Sequence, residues 1–151
     1  MLNKKHIVFI VFLLFSFGNY TFAQQNPEDI ALEENKTEDY FFEALAQRGI
    51  ENYDKAIVAI QKCLEKEPKN PAFLYELGKN QLDAKDYVAA EITFKSAVEI
   101  DNKQRWYLNG LYDVYYQTKD FQKSIPVVEK LIEFDPNMRE DLVSLFMNTN
   151  Q

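Results

Sequence analysis

An all-α stack of antiparallel helix pairs is the architecture written into this 151-residue chain. Three observations carry that reading. Asn52-Tyr53, Asp86-Tyr87 and Asp120-Phe121 recur at a step of 34 residues, a period that marks stacked helical repeats. In each copy a small residue (Ala56, Ala90, Ser124) is followed four positions later by a bulky apolar one (Ile60, Phe94, Val128), which is the spacing of one helix face. Each copy then closes on a charged tail, Glu67-Pro68, Asp101-Asn102 and Asp135-Pro136.

Ahead of the repeats, residues 1–23 read as a secretory signal peptide. Lys4-Lys5-His6 is a basic head and Ile7 to Phe17 an apolar run broken by Ser16. Thr21-Phe22-Ala23 then puts small residues where a signal peptidase cuts, predicting cleavage before Gln24. The run falls short of the about 20 apolar residues that span a bilayer, so no stable membrane insertion is expected after cleavage. No Cys stands near the cut to carry a lipid. Residues 24–36, with Asn26-Pro27 and several acids, lack apolar periodicity and read as a linker.

Three repeats cover 37–136, at approximately 37–70, 71–104 and 105–138. Helix A is expected at Thr37–Gly49, Pro71–Lys85 and Arg105–Lys119, and helix B at Tyr53–Lys66, Tyr87–Ile100 and Phe121–Phe134. Asn52, Asp86 and Asp120 suit the N-cap of each B helix, because their side chains accept free amides. Asn70-Pro71 is a further start signal, and Pro68 and Pro136 stop the helices before them. Connections this short force neighbouring helices antiparallel. Ala56, Ala90 and Ser124 let helix B approach helix A. Tyr53, Tyr87 and Phe121, with Ile60, Phe94 and Val128, are expected to fill the gap between one repeat and the next. Pro126 removes one hydrogen bond from its helix and predicts a modest kink near Gln122. Beyond residue 138, Leu142, Leu145 and Phe146 recur at helical spacing. Residues 139–151 are therefore a capping helix or the start of a truncated fourth repeat, and the apolar Phe146-Met147 end favours the latter. The same apolar helix could pair with another copy, giving a homo-oligomer.

Loss of residues 1–23 takes Lys4 and Lys5 but no acid, moving the net charge from −7 to −9. That balance argues against nucleic acid and against anionic lipid surfaces. Cys63 is the only cysteine, so no disulfide can form within the chain. It occupies the packing position held by Ala97 and Leu131 in the other copies, where a thiol acts as a small apolar group. His6, the only histidine, leaves with the leader. No general base, zinc-spaced His/Cys set or Gly-rich phosphate loop remains. Glu28-Asp29 and Glu140-Asp141 would point about 100° apart on a helix, which suits solvation better than paired acid/base work. The expectation is a protein that is not an enzyme, with no catalytic residue, metal or cofactor.

The 34-residue period, the Leu77-Gly78 pair, Tyr115, the small-residue trio and the prolines together resemble the tetratricopeptide repeat family. Leu74-Tyr75-Glu76-Leu77-Gly78, Lys85-Asp86-Tyr87 and Ala90-Phe94-Ala97 form the best match. The third copy puts Tyr112 at the usual small position, with Gly110 nearby. The first has Glu43-Ala44 for Leu-Gly. The resemblance implies a right-handed superhelix whose A helices line a groove that holds an extended or helical peptide. Carried over by position, the groove residues are Phe41, Leu45 and Arg48; then Tyr75, Lys79, Leu82 and Asp83; then Trp106, Asn109, Asp113 and Tyr116. Rings supply contact area and amides pair with peptide backbone. Packing on the next repeat is the competing role for Tyr75 and Trp106, and packing on the lead-in for Phe41 and Leu45. Some members clamp a partner's C-terminal carboxylates with Lys, Asn and Arg. Here those places hold Phe41, Leu45, Trp106 and Gly110, so the clamp is not expected.

The leading functional expectation is an exported, periplasmic or extracellular scaffold of a Gram-negative-type bacterium, binding a protein or peptide partner in its groove. The alternative is the N-terminal docking or sensory region of a larger envelope enzyme or signalling protein.

Overall fold

The computed structural model describes residues 27–136 and 139, with side chains from Lys36 onward. The expected signal peptide and the helix expected over Leu142, Leu145 and Phe146 lie outside the described residues. Six helices follow one another: α1 Pro27–Gly49, α2 Tyr53–Lys66, α3 Pro71–Asp83, α4 Tyr87–Ile100, α5 Arg105–Thr118 and α6 Phe121–Phe134. The B helices begin and end where the sequence places them. α3 and α5 stop slightly short of the expected Lys85 and Lys119.

From Pro27 onward, the stretch read as a linker is helical. α1 starts at Pro27, ten residues ahead of the expected Thr37. Apolar periodicity is a sign of burial, and a helix can form without it. Proline at the first helical position, acids in the first turn and a run of good helix formers are enough.

From Asn35 the repeats form one compact unit. Each A-to-B turn is built alike. Glu51, Lys85 and Lys119 take left-handed φ values of 59°, 63° and 58°, again 34 residues apart. Around each, the amides of Asn52, Asp86 and Asp120 donate back to Gln47, Gln81 and Tyr115 carbonyls at 2.8, 2.8 and 2.9 Å. Those bonds, with Glu51, Lys85 and Lys119 amides donating to Arg48, Leu82 and Tyr116, complete a Schellman close at every A helix. The residue that ends this motif also starts helix B. Asp86 accepts from the Ala89 amide and Asp120 from that of Lys123, at 3.1 and 3.3 Å. Asn70 likewise caps α3 through Ala72 and Phe73. Asn52, expected to cap α2, makes no side-chain cap bond. Asp54 offsets the helix dipole in that first turn instead.

Packing follows chain order: α2 on α3, α3 on α4, α4 on α5 and α5 on α6, with α3 also touching α5. That last contact sets successive A helices side by side as a wall. Ala56 and Ala90 are wholly buried and Ser124 nearly so, as close helix approach requires. One core gathers Ala44, Ala59, Ile60, Cys63 and Leu77. The other gathers Ala90, Phe94, Leu108, Leu111, Val114, Tyr115, Val127 and Leu131. Phe94 is fully buried and pinned between two glycines. A Cβ on Gly78 would lie 2.7 Å from its ring, and one on Gly110 would overlap the ring more severely still. Gly110 thus makes room for the ring that its neighbouring repeat inserts. Phe121 is 41% exposed, more open than Tyr53 and Tyr87 at the equivalent positions. α6 runs unbroken through Pro126 to the same 14-residue length as α2 and α4.

Cys63 is buried, its thiol 3.4 Å from the Thr37 carbonyl, and desolvation raises its pKa. This is the packing role that its repeat position predicts, and it leaves the thiol unreactive.

Candidate functional site: the inner wall of the A helices

The A-helix wall brings the carried-over positions together, but in unequal roles. On α1, Phe41 is half-buried with its ring 5.6 Å from that of Phe73, so it packs on the next repeat. Leu45 remains exposed. Arg48 reaches across to the second repeat, its Nε and Nη2 lying 2.9 and 2.7 Å from Asp83 Oδ2. Two predicted groove charges therefore cancel each other.

On α3, Tyr75 packs rather than protrudes. Its ring lies 5.9 Å from Phe94 and 5.6 Å from Tyr107, which ties it into the core beneath. Burial pushes its hydroxyl pKa up, with Glu76 and Asp113 adding to the effect and Arg48 opposing it. The Tyr75 hydroxyl therefore senses charges from all three repeats. Lys79 sits over this ring at 5.0 Å and holds both oxygens of Glu76 at 2.9 and 3.1 Å. Glu76 was not among the predicted site residues, although its position three before Lys79 on one helix is a recognisable pairing signal. Leu82 is partly buried against the core.

On α5 the wall opens. Trp106, Asn109, Asp113 and Tyr116 fall on one face at helical spacing, spanning roughly 15 Å of axis. Trp106 is 53% exposed with the Arg105 guanidinium 4.8 Å over its ring, and Tyr116 is 41% exposed. Tyr112, missed as a groove residue because it replaces a small side chain, stacks beside Tyr116 with centroids 6.1 Å apart. Asp113 is open to solvent yet makes no ion pair among the described residues. The surrounding wall strips water from it nonetheless, and this desolvation raises its pKa.

The opposite flank carries its own polar cluster. Glu91 on α4 accepts from Lys95 at 2.7 Å, Tyr115 at 3.2 Å and Lys123 at 3.2 Å, joining α4, α5 and α6. The Lys95 bond, then that of Lys123, lowers the Glu91 pKa against the opposing effect of burial. Among the described residues, no group of three His, Cys, Asp or Glu is placed to hold a metal ion. Nor is any helix there long and apolar enough to cross a membrane.

Two family models, both described as tetratricopeptide repeat, match residues 44–109 and 113–138. An N-terminal acetyltransferase A complex subunit-like protein of Schizosaccharomyces pombe is 32% identical over 85 residues. That stretch is 56% of this chain but only 12% of the relative. Among solved structures, the first TPR of Spaghetti (RPAP3), bound to the HSP90 peptide SRMEEVD, superposes with a TM-score of 0.68. It is 16% identical, over 78% of this chain and 95% of that one. The Sgt2 TPR domain from Aspergillus fumigatus gives a TM-score of 0.66 at 20% identity, covering 83% and 81% of the two chains. With its 34-residue period, its three identical A-to-B turns and its small-residue helix crossings, the chain belongs to the tetratricopeptide repeat family.

Proposed function

We propose that this protein is a non-enzymatic interaction scaffold that holds a peptide segment of a partner protein against the A-helix wall. The observation that carries the proposal is the open aromatic face of α5, where Trp106 and Tyr116 remain exposed above a rigid support. Large rings held in place bury area at little entropic cost, which is how binding surfaces gain most of their affinity. The RPAP3 domain of the same fold was solved with a peptide bound, which supports a groove reading.

Trp106→Ala and Tyr116→Ala test it in capture of partners from envelope extract. Capture is expected to fail while the melting temperature holds. Tyr75→Ala is expected to lower the melting temperature itself, because that ring packs on Phe94 and Tyr107. Retained capture by both α5 variants would move the binding surface elsewhere.

Export belongs to this proposal through residues 1–23. N-terminal sequencing of protein recovered from the periplasm or medium should begin at Gln24. A second reading, a docking region of a larger protein, is favoured by the relative in which this segment is 12% of the length. An in-frame extension past codon 151 would support it, and a stop codon there would end it.

A further inference from the structure

Midway along its α5 face the wall carries a carboxylate without an ion-pair partner among the described residues. Arg48 is held by Asp83 and Lys79 by Glu76, so each cation of the described wall at these positions is already neutralised from within the fold. Asp113 has no such partner among the described residues, and it stands midway along the α5 face. Asn109 lies one turn before it and Tyr116 one turn after, with Trp106 a further turn away. This carboxylate is open to solvent and flanked along its helix by the exposed Trp106 and Tyr116 rings, so it is free to take a charged partner. A cation arriving with a ligand would supply that partner. The rings around it suit the same visitor, since a guanidinium or ammonium gains from aromatic faces as well as from a carboxylate.

Building on the scaffold reading above, we propose that the partner segment is basic and that one of its Lys or Arg side chains pairs with Asp113 between the Tyr116 and Trp106 rings. The roughly 15 Å of α5 face would accommodate four or five residues of extended peptide. The stretch around the cation would be short and without a second cation, because Asn109 offers an amide for backbone pairing and Arg105, over the Trp106 ring, would repel another positive charge at that end. The expected ligand is thus opposite in sign to the acidic SRMEEVD segment found on the RPAP3 domain. The Arg48 and Lys79 pairs leave no free cation at those two positions for an acidic segment to meet, and Arg105 stands at the far Trp106 end of the face.

Panning a random seven-residue display library against the full chain, Asp113→Asn, Asp113→Lys and Trp106→Ala tests this. Wild-type pools should be enriched in Lys or Arg at one position, with no second cation beside it. Synthetic peptides from those pools should lose about tenfold in affinity for Asp113→Asn, the size of one charge-assisted contact. Asp113→Lys should select Asp or Glu at the same position. Circular dichroism should show unchanged helix content in all three variants.

Basic enrichment that survives Asp113→Asn would reflect the bulk negative charge of the chain and overturns the inference. Trp106-dependent binders with no basic preference also overturn it, while leaving the groove reading standing. Failure to recover any Trp106-dependent binder sinks both.

Discussion

Single atoms decide where this stack can tolerate change. The Phe94 ring fills the space between Gly78 and Gly110, and being fully buried it has nowhere to swing. Alanine at either glycine would improve helix propensity by about 1 kcal/mol, but the added methyl would overlap the ring. Gly110→Ala should therefore be destabilising by about 2 kcal/mol in urea denaturation, and Phe94→Leu should relieve much of that. Additive effects of the two substitutions would show that the ring is free to move.

Two acids give opposite pH signatures. Asp113 is raised above its unfolded value by desolvation, so its ionised form opposes folding. That penalty is present above the raised value and vanishes once pH falls below the ordinary carboxylate range. Asp113→Asn should raise the melting temperature at pH 7 and leave it unchanged at about pH 3. Glu91 is lowered, chiefly by its Lys95 bond. Its contribution is present above the unfolded value and fades as pH falls through the folded one. Glu91→Gln should cost about 1 kcal/mol at neutral pH and almost nothing in acid. Matching slopes for the two variants would contradict these environments.

Between helices, the telling unit is the A-to-B turn. Three times, 34 residues apart, a non-glycine residue adopts left-handed φ so that one residue both closes the Schellman motif and begins the next helix. Such turns usually employ glycine, since side chains are strained there. Lys85→Asn should be stabilising by about 0.5 kcal/mol, and Lys85→Val destabilising by about 1.5 kcal/mol, as read from chemical denaturation midpoints. The caps behave less uniformly. Asp86 and Asp120 cap with their side chains, whereas Asn52 does not. Residue type made these positions recognisable as caps, but whether each cap bond forms depends on local geometry.

Across the whole molecule, stability is shared between neighbours. Phe94 belongs to the second repeat but packs with Leu108 and Leu111 of the third and against Gly110. Tyr75 reaches Tyr107 in the same way. A fragment ending at Asn102 would bare both rings, and no helix pair in such an array stands alone. It is expected to show little cooperative thermal unfolding beside a clear transition for the full chain. Full helicity and a sharp transition in the fragment would mean the second repeat is self-sufficient.

The period, the helix register and the crossings were legible from residues alone, because repetition makes each small residue and each stop signal appear three times. α2, α4 and α6 begin and end where that pattern places them. The early start of α1 was not legible, because residues 27–36 carry start signals and helix formers but no apolar stripe to read. The wall itself could be named by position, yet its character could not. Which charges stay free depends on pairs such as Arg48 with Asp83, brought together across 35 residues by stacking. Whether Tyr75 binds or packs depends on the rings below it. Local sequence fixes which face a side chain takes on its own helix, while only the assembled stack determines what meets it there.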